Sequence, residues 1–300
     1  MTASNPYRDE SHASPGGLPP GDAHLDSAAQ LMNRIGSQLG TRLGLVSLDG
    51  TRRPAPPAVV LVAHGSRDPR ALSTVRTLVE RVRELRPLLP VRLGHIELNE
   101  PLLPDTLASL GDGRAVLVPL LLGRGHHVKR DIPEAAAAAR AETRVAAPLG
   151  PHPLLVETLY ARLVEAGWRT TLSDARRRAS AVVLAAAGSR DPDSAADTRR
   201  TARLLAERLG VPVVPAYASA ATPTVAGAVR ALTARGRHRI AVASYFAAPG
   251  RFAAECAAAA PWIAAAPLGA HPAMARLVLH RYAQTLAAPE AAAEHALTSA

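Results

Sequence analysis

Three side chains in the first half of this chain have the types and the placement to handle a metal ion or a proton: His64, Glu97 and His127. Each lies at the end of an apolar run that reads as a strand. His64 follows Ala58–Ala63, Glu97 closes the run from Val91 to Leu98, and His127 comes shortly after the run from Ala115 to Leu122. In an open parallel sheet, ligands bind in the crevice at the carboxyl ends of the strands, so groups at successive strand ends can converge. Two imidazoles and a carboxylate suit a borderline divalent ion such as Fe²⁺, Co²⁺ or Zn²⁺, and either imidazole can exchange a proton near neutral pH. Three protein ligands leave coordination positions open for exchange. His95 and Glu100 flank Glu97, and Glu100 is the alternative carboxylate. Asp131 and Glu134 read as the cap of the next helix and its partner, a rigid shoulder for His127. His126 is expected to point away, towards solvent or a supporting position.

The string around His64 recurs about 123 residues later. Leu61-Val62-Ala63-His64-Gly65-Ser66-Arg67-Asp68-Pro69 returns as Leu184-Ala185-Ala186-Ala187-Gly188-Ser189-Arg190-Asp191-Pro192. A second echo pairs Pro148-Leu149-Gly150-Pro151-His152-Pro153 with Pro267-Leu268-Gly269-Ala270-His271-Pro272 and sets the register of the two halves. That register puts Ala187 opposite His64, Ser219 opposite Glu97 and Phe252 opposite His127. The three groups are lost together while the turn survives, which marks them as a functional set confined to one half. The turn itself has an architectural reading: Gly65 and Gly188 allow a sharp exit from the strand, and Asp68 and Asp191 cap a helix that opens with proline. His152 and His271, present in both halves, read as structural.

Around these residues, apolar runs alternate with helical stripes such as Leu72, Val75, Leu78, Val79, Val82 and Leu85. The pattern predicts an α/β fold: two tandem doubly wound parallel-sheet domains with the active site in the cleft between them. First-half helices are expected over Leu102–Leu110, Ile132–Ala141 and Pro153–Ala166, with a fourth strand over Arg144–Pro148. The divisions follow: a disordered arm over 1–56 containing a short helix near Ala28–Leu39, a first domain over 57–167, a linker over 168–179, a degenerate repeat over 180–287, and a flexible tail over 288–300.

Composition narrows the classes. The net charge is +10, and of 35 basic residues Lys129 is the one lysine, so arginine abundance reflects coding bias as much as function. A basic chain wants acidic company, but with two Phe, two Trp and five Tyr, and no zinc-finger or RNA-recognition signature, nucleic acid is not the expected partner. The single cysteine, Cys256, builds neither an intrachain disulfide nor a thiolate metal site. A reducing cytoplasm is expected, with no membrane association, because no leader-like or spanning apolar segment is visible. No G-x-x-x-x-G-K-[ST] string is present for ATP phosphates. Phosphoryl transfer through His64 is disfavoured by Ala63, which stands where a phosphate-binding arginine would precede such a His-Gly.

The strings His64-Gly65-Ser66-Arg67, Glu97-Leu98-Asn99-Glu100-Pro101 and His127-Val128-Lys129-Arg130-Asp131-Ile132-Pro133 resemble the class II tetrapyrrole chelatases, specifically the sirohydrochlorin chelatases. The similarity covers about Ala58 to Ala287. It implies ATP-independent insertion of a divalent metal into sirohydrochlorin: Fe²⁺, giving siroheme, with Co²⁺ for cobalamin as the alternative, or a carrier that presents the same ligands without turnover. His64 and His127 would be the metal-binding imidazoles and Glu97 the carboxylate, the three also serving as catalytic groups. No organic cofactor is implied; the metal is a substrate. Sirohydrochlorin carries eight carboxylates by this resemblance, and Arg67, Arg124 and Lys129 are the groups expected to bind them. A monomer is expected, since the duplication supplies both sides of the cleft.

Overall fold

A computed structural model describes residues 55–289; the expected arm helix near Ala28–Leu39 and most of the tail lie outside the described residues. The first half runs β1 (Ala58–Ala63), α1 (Pro69–Leu85), β2 (Val91–His95), α2 (Leu103–Ala108), β3 (Arg114–Pro119), α3 (His126–Lys129), α4 (Asp131–Ala137), β4 (Glu142–Val145) and α5 (Pro153–Glu165). After α6 (Asp174–Ala179) the order returns as β5 (Ser180–Ala186), α7 (Pro192–Leu209), β6 (Val213–Tyr217), α8 (Val225–Ala234), β7 (Arg239–Tyr245), α9 (Arg251–Ala258), β8 (Ile263–Ala264) and α10 (Pro272–Ala287). The strands form two wholly parallel four-stranded sheets, β2-β1-β3-β4 and β6-β5-β7-β8. The expected α/β class with two such sheets is therefore what the chain adopts.

Details differ for local reasons. The second strand stops at His95, because the chain turns at Leu98, whose φ of 67° is left-handed. The stretch expected as a plain linker holds α6, opened by Ser173, whose side chain accepts from the Arg176 N–H. A one-turn helix, α3, precedes α4 and carries His126 and His127.

The central strands β1 (AVVLVA) and β5 (SAVVLAA) are buried along their whole length, as strands covered on both faces must be. Alternate residues serve different layers. Ala58, Val60 and Val62 face outward with Leu103, Leu107 and Ile132 of α2 and α4. In the second sheet Ala181, Val183 and Ala185 likewise join Val225, Ala228, Leu232 and Cys256 of α8 and α9. The opposite faces meet in one cluster: Val59 and Leu61 from one sheet, Val182 and Leu184 from the other, with Leu78, Leu159, Leu205 and Leu277 from α1, α5, α7 and α10 between them. The last helix of each half packs across the boundary, α5 against α7 and β7, and α10 against α1 and β3. The two sheets therefore share a core.

That sharing has an energetic consequence. Burying a leucine-sized side chain is worth roughly 1.5–3 kcal/mol, and a folded domain retains only about 5–15 kcal/mol in all. Exposing four or five of the shared leucines would cancel that margin. We expect residues 57–167, expressed alone, to give no cooperatively folded monomer; a sharp thermal transition from a monomeric fragment in sedimentation and circular dichroism would contradict the shared core.

Candidate functional site

The groups singled out in the sequence are brought together at the carboxyl end of the first sheet. After β1 the chain leaves through Gly65, whose φ is +106°. A Cβ there would stand 1.9 Å from the Glu97 carbonyl oxygen, so only glycine lets the Glu97 loop lie against the His64 turn. The backbone closes the contact, with the Glu97 N–H donating to the His64 carbonyl at 3.0 Å. Asn99 Oδ1 accepts the Ser66 N–H at 2.7 Å. His95, almost wholly buried, donates from its backbone N–H to the Pro101 carbonyl at 3.0 Å, and its ring Nδ1 lies 3.2 Å from the same oxygen. These bonds hold Glu97 where its Oε1 lies 3.5 Å from His64 Nδ1. Glu100 is turned elsewhere, Oε2 accepting the Leu102 N–H at 3.2 Å.

His127 reaches the same place from α3, its ring edge-on to His64 with centroids 4.6 Å apart. Asp131 does not cap α4 as expected: the N-cap is Arg130, with no side-chain bond, and the Asp131 carboxylate instead takes His127 Nδ1. The two residues are four apart, on either side of the break at Arg130 between α3 and α4. A partner on Nδ1 leaves Nε2 as the ring atom able to bind an ion or take a proton. His126 is exposed, with Nε2 3.6 Å from the other Asp131 oxygen.

The three side chains of His64, Glu97 and His127 remain 44%, 51% and 34% exposed. Among the described residues no group of three or more His, Cys, Asp and Glu side chains is arranged so that it could hold a metal ion. The trio is an open set of donors, not a closed cage. A recess at the amino-terminal end of β3, lined by Pro57, Val116, Glu142 and Leu286 among others, holds none of them.

The basic groups divide. Arg67 is exposed and has no ion-pair partner among the described residues. Arg124 and Lys129 are committed to the second half. Arg124 donates its backbone N–H at 3.0 Å and its guanidinium at 2.9 and 3.1 Å to buried Asp197. Lys129 Nζ lies 2.8 Å from Asp191 and 2.9 Å from Asp193. Hydrogen bonding to those carboxylates pushes the Lys129 pKa up, and hydrogen bonding to Lys129 holds Asp191 below the usual carboxylate range. Nothing in the sequence pattern pairs residues sixty and more positions apart, so these acids were not anticipated.

The second half repeats the backbone without the three side chains. Gly188, φ +91°, brings a would-be Cβ to 1.9 Å from the Ser219 carbonyl, and the Ser219 N–H donates to the Ala187 carbonyl at 2.9 Å. Asp68 and Asp191 each accept the N–H two residues on, at 2.9 Å, and cap α1 and α7.

Comparison with known proteins places this layout. The fold matches that of the protein described as "SirB from Bacillus subtilis with Fe3+", with a TM-score of 0.61 and 24% identity over 77% of this chain and 96% of that one. This is the class of duplicated α/β proteins with two parallel four-stranded sheets. The chain belongs to the CbiX family, whose model matches residues 58–166 and again 181–285. A "Sirohydrochlorin cobaltochelatase" of Methanococcus aeolicus is 38% identical over 80 residues, 26% of this chain and 56% of that protein. A "Sirohydrochlorin ferrochelatase" of Bacillus subtilis is 30% identical over 175 residues, 55% of this chain and 64% of that protein. The chain thus spans between about half and two thirds of the length of these curated relatives. No helix among the described residues is long and apolar enough to cross a membrane.

The two repeated histidines are caps. His152 Nδ1 accepts the Leu154 N–H at 3.1 Å, and His271 Nδ1 accepts the Ala273 N–H at 3.2 Å. Burial, with Arg281 and His280 nearby, lowers the His152 pKa to about 4; burial, with Arg162 nearby, lowers that of His271. The folded state therefore prefers neutral imidazole while the unfolded chain takes up protons near pH 6.5. Stability from this source is full above pH 6.5 and declines as pH falls towards 4. His152→Asn keeps an acceptor for the cap but removes the titration. Urea unfolding of both proteins from pH 7 to 4 should show the wild type losing more stability on acidification; a wild-type-minus-variant difference that stays constant over that range would refute the account.

Proposed function

We propose that this protein is a sirohydrochlorin chelatase, inserting Fe²⁺ or Co²⁺ into sirohydrochlorin without ATP and releasing the two pyrrole N–H protons. The observation that carries the reading is the convergence of His64, Glu97 and His127 at one set of strand ends, in a chain of the CbiX family. Insertion requires that the ion shed its solvent, be handed on, and that a base take each proton as the metal–nitrogen bonds form. Donors a third to a half exposed suit an ion held weakly and passed on. His127, with Nδ1 held by Asp131, offers Nε2 to the metal or to a pyrrole proton. Glu97 supplies negative charge beside His64, and Arg67 is the exposed cation for a substrate carboxylate. Fe²⁺ and Co²⁺ accept the same ligand types, so availability, more than affinity, sets which is used. The proposed working unit is a single chain.

The test is absorbance-followed insertion by the purified chain with sirohydrochlorin and each ion. His64→Ala and His127→Ala should lower turnover by about 10²–10⁴-fold, the range expected when a positioned proton-transfer group is lost, with little change in unfolding temperature. Glu97→Gln should impair it less. Phe252→Ala, at the position equivalent to His127, should alter stability rather than turnover. Binding of metal or tetrapyrrole without product would make the protein a carrier, and equal losses from Phe252→Ala and His127→Ala at matched stability would sink the single-site reading.

A further inference from the structure

We infer that Asp197, in the half that lacks the three functional groups, is a positioning residue for His127. This deepens the proposed function and rests on it. The segment from Leu122 to Lys129, which delivers His127, is tied to the second half at Leu122, Arg124 and Lys129, while Asp131 of the first half holds the His127 ring. Asp197 is buried to all but 5% and accepts three hydrogen bonds from Arg124, one of them from the backbone. Tyr245, also buried, donates its hydroxyl to the Leu122 carbonyl at 2.9 Å and lies 3.2 Å from Thr201, one turn beyond Asp197 on α7. Gly123 lies against the Asp197 side chain, where its would-be Cβ would be 3.5 Å from the Asp197 Cβ. Asp191 and Asp193 hold Lys129 just past the histidine. The segment is thus gripped on both sides of His127 by α7 and its amino-terminal cap.

A carboxylate fixing a backbone N–H and the guanidinium of the same residue constrains position as well as charge. His127 is three residues beyond Arg124, so its place beside His64 depends on this grip. Asp197 does not reach the reacting atoms on this account; it acts through Arg124.

The experiment is Asp197→Asn in the full chain, read by hydrogen exchange over residues 123–129 and by steady-state insertion of Co²⁺ into sirohydrochlorin. The expected result is exchange in that segment at least about tenfold faster, and a fall in kcat of about tenfold or more with KM for sirohydrochlorin unchanged. Leu232→Ala, in the outer core of the second sheet, is the control for general destabilisation and should leave exchange over 123–129 as it is. If Asp197→Asn does not fold, Arg124→Gln removes the guanidinium from the more exposed side of the pair and carries the same expectation. Unchanged exchange, or faster exchange with unchanged kcat, overturns the inference. A wild-type protein that inserts no metal overturns the proposed function instead, and exchange alone then decides the clasp: faster in the variant supports it, unchanged refutes it.

Discussion

The constraint on which the rest of this structure depends is that one layer of helices serves two sheets. Leu159 of α5 and Leu277 of α10 lie in a cluster that draws Leu61 from one central strand and Leu184 from the other. Because a sheet buried on both faces cannot tolerate losing either cover, neither half can move away from the other without exposing that layer. The duplication has therefore produced a single body with two sets of strand ends, not two beads on a string. Loops at those ends inherit their positions from the shared layer, and this is why residues sixty and seventy apart in the chain, Lys129 with Asp191 and Arg124 with Asp197, meet at hydrogen-bond distance.

Within that frame the two halves solve the same backbone problem twice. Gly65 under the Glu97 carbonyl and Gly188 under the Ser219 carbonyl are the same close approach, and the capping aspartates that follow them are the same cap. What differs is the side chain carried on each loop. Such loops are fixed by their main chain, so replacing His64 by Ala187 or Glu97 by Ser219 costs the fold nothing it relies on. That freedom explains how these side chains can be absent from one half while the architecture persists.

Much of this was legible from the sequence because it depends on local pattern. Central strands read as unbroken apolar runs, α1 as a stripe at helical spacing, and the Gly-Ser-Arg-Asp-Pro turn as a strand exit followed by a capped helix opening with proline; each signal lies within ten or twenty residues. That His64, Glu97 and His127 lie together was expected from their strand ends and from their joint absence in the second half. What was not legible depends on distance or on side-chain rotation. Asp131 sits where a cap is expected and turns back to His127 instead, a choice between two partners that spacing does not decide. Arg124 and Lys129 looked available to an anionic ligand, because no sequence pattern brings Asp191, Asp193 and Asp197 to them. The exchange of α5 and α10 across the boundary was hidden for the same reason, since an amphipathic helix announces that it has a buried face but not whose sheet it covers.

The electrostatics of the site follow from that hidden pairing. Three carboxylates of the second half neutralise two cations of the first, so the strand ends are less basic than the composition suggests. On the proposed function, such neutralisation suits the segment that carries His127. Two uncompensated cations within a few residues of His127 would oppose a dication at its Nε2, whereas cations tied to aspartates do so far less. On that reading the carboxylates would act twice, as anchors for the segment and as a screen for the ion. Glu97 beside His64 and Asp131 at His127 place a carboxylate next to each imidazole, and His64, Glu97 and His127 all stay partly exposed. On the proposed function, a donor set that releases its metal to a stronger ligand is served better by this open, partly screened arrangement than by a buried one.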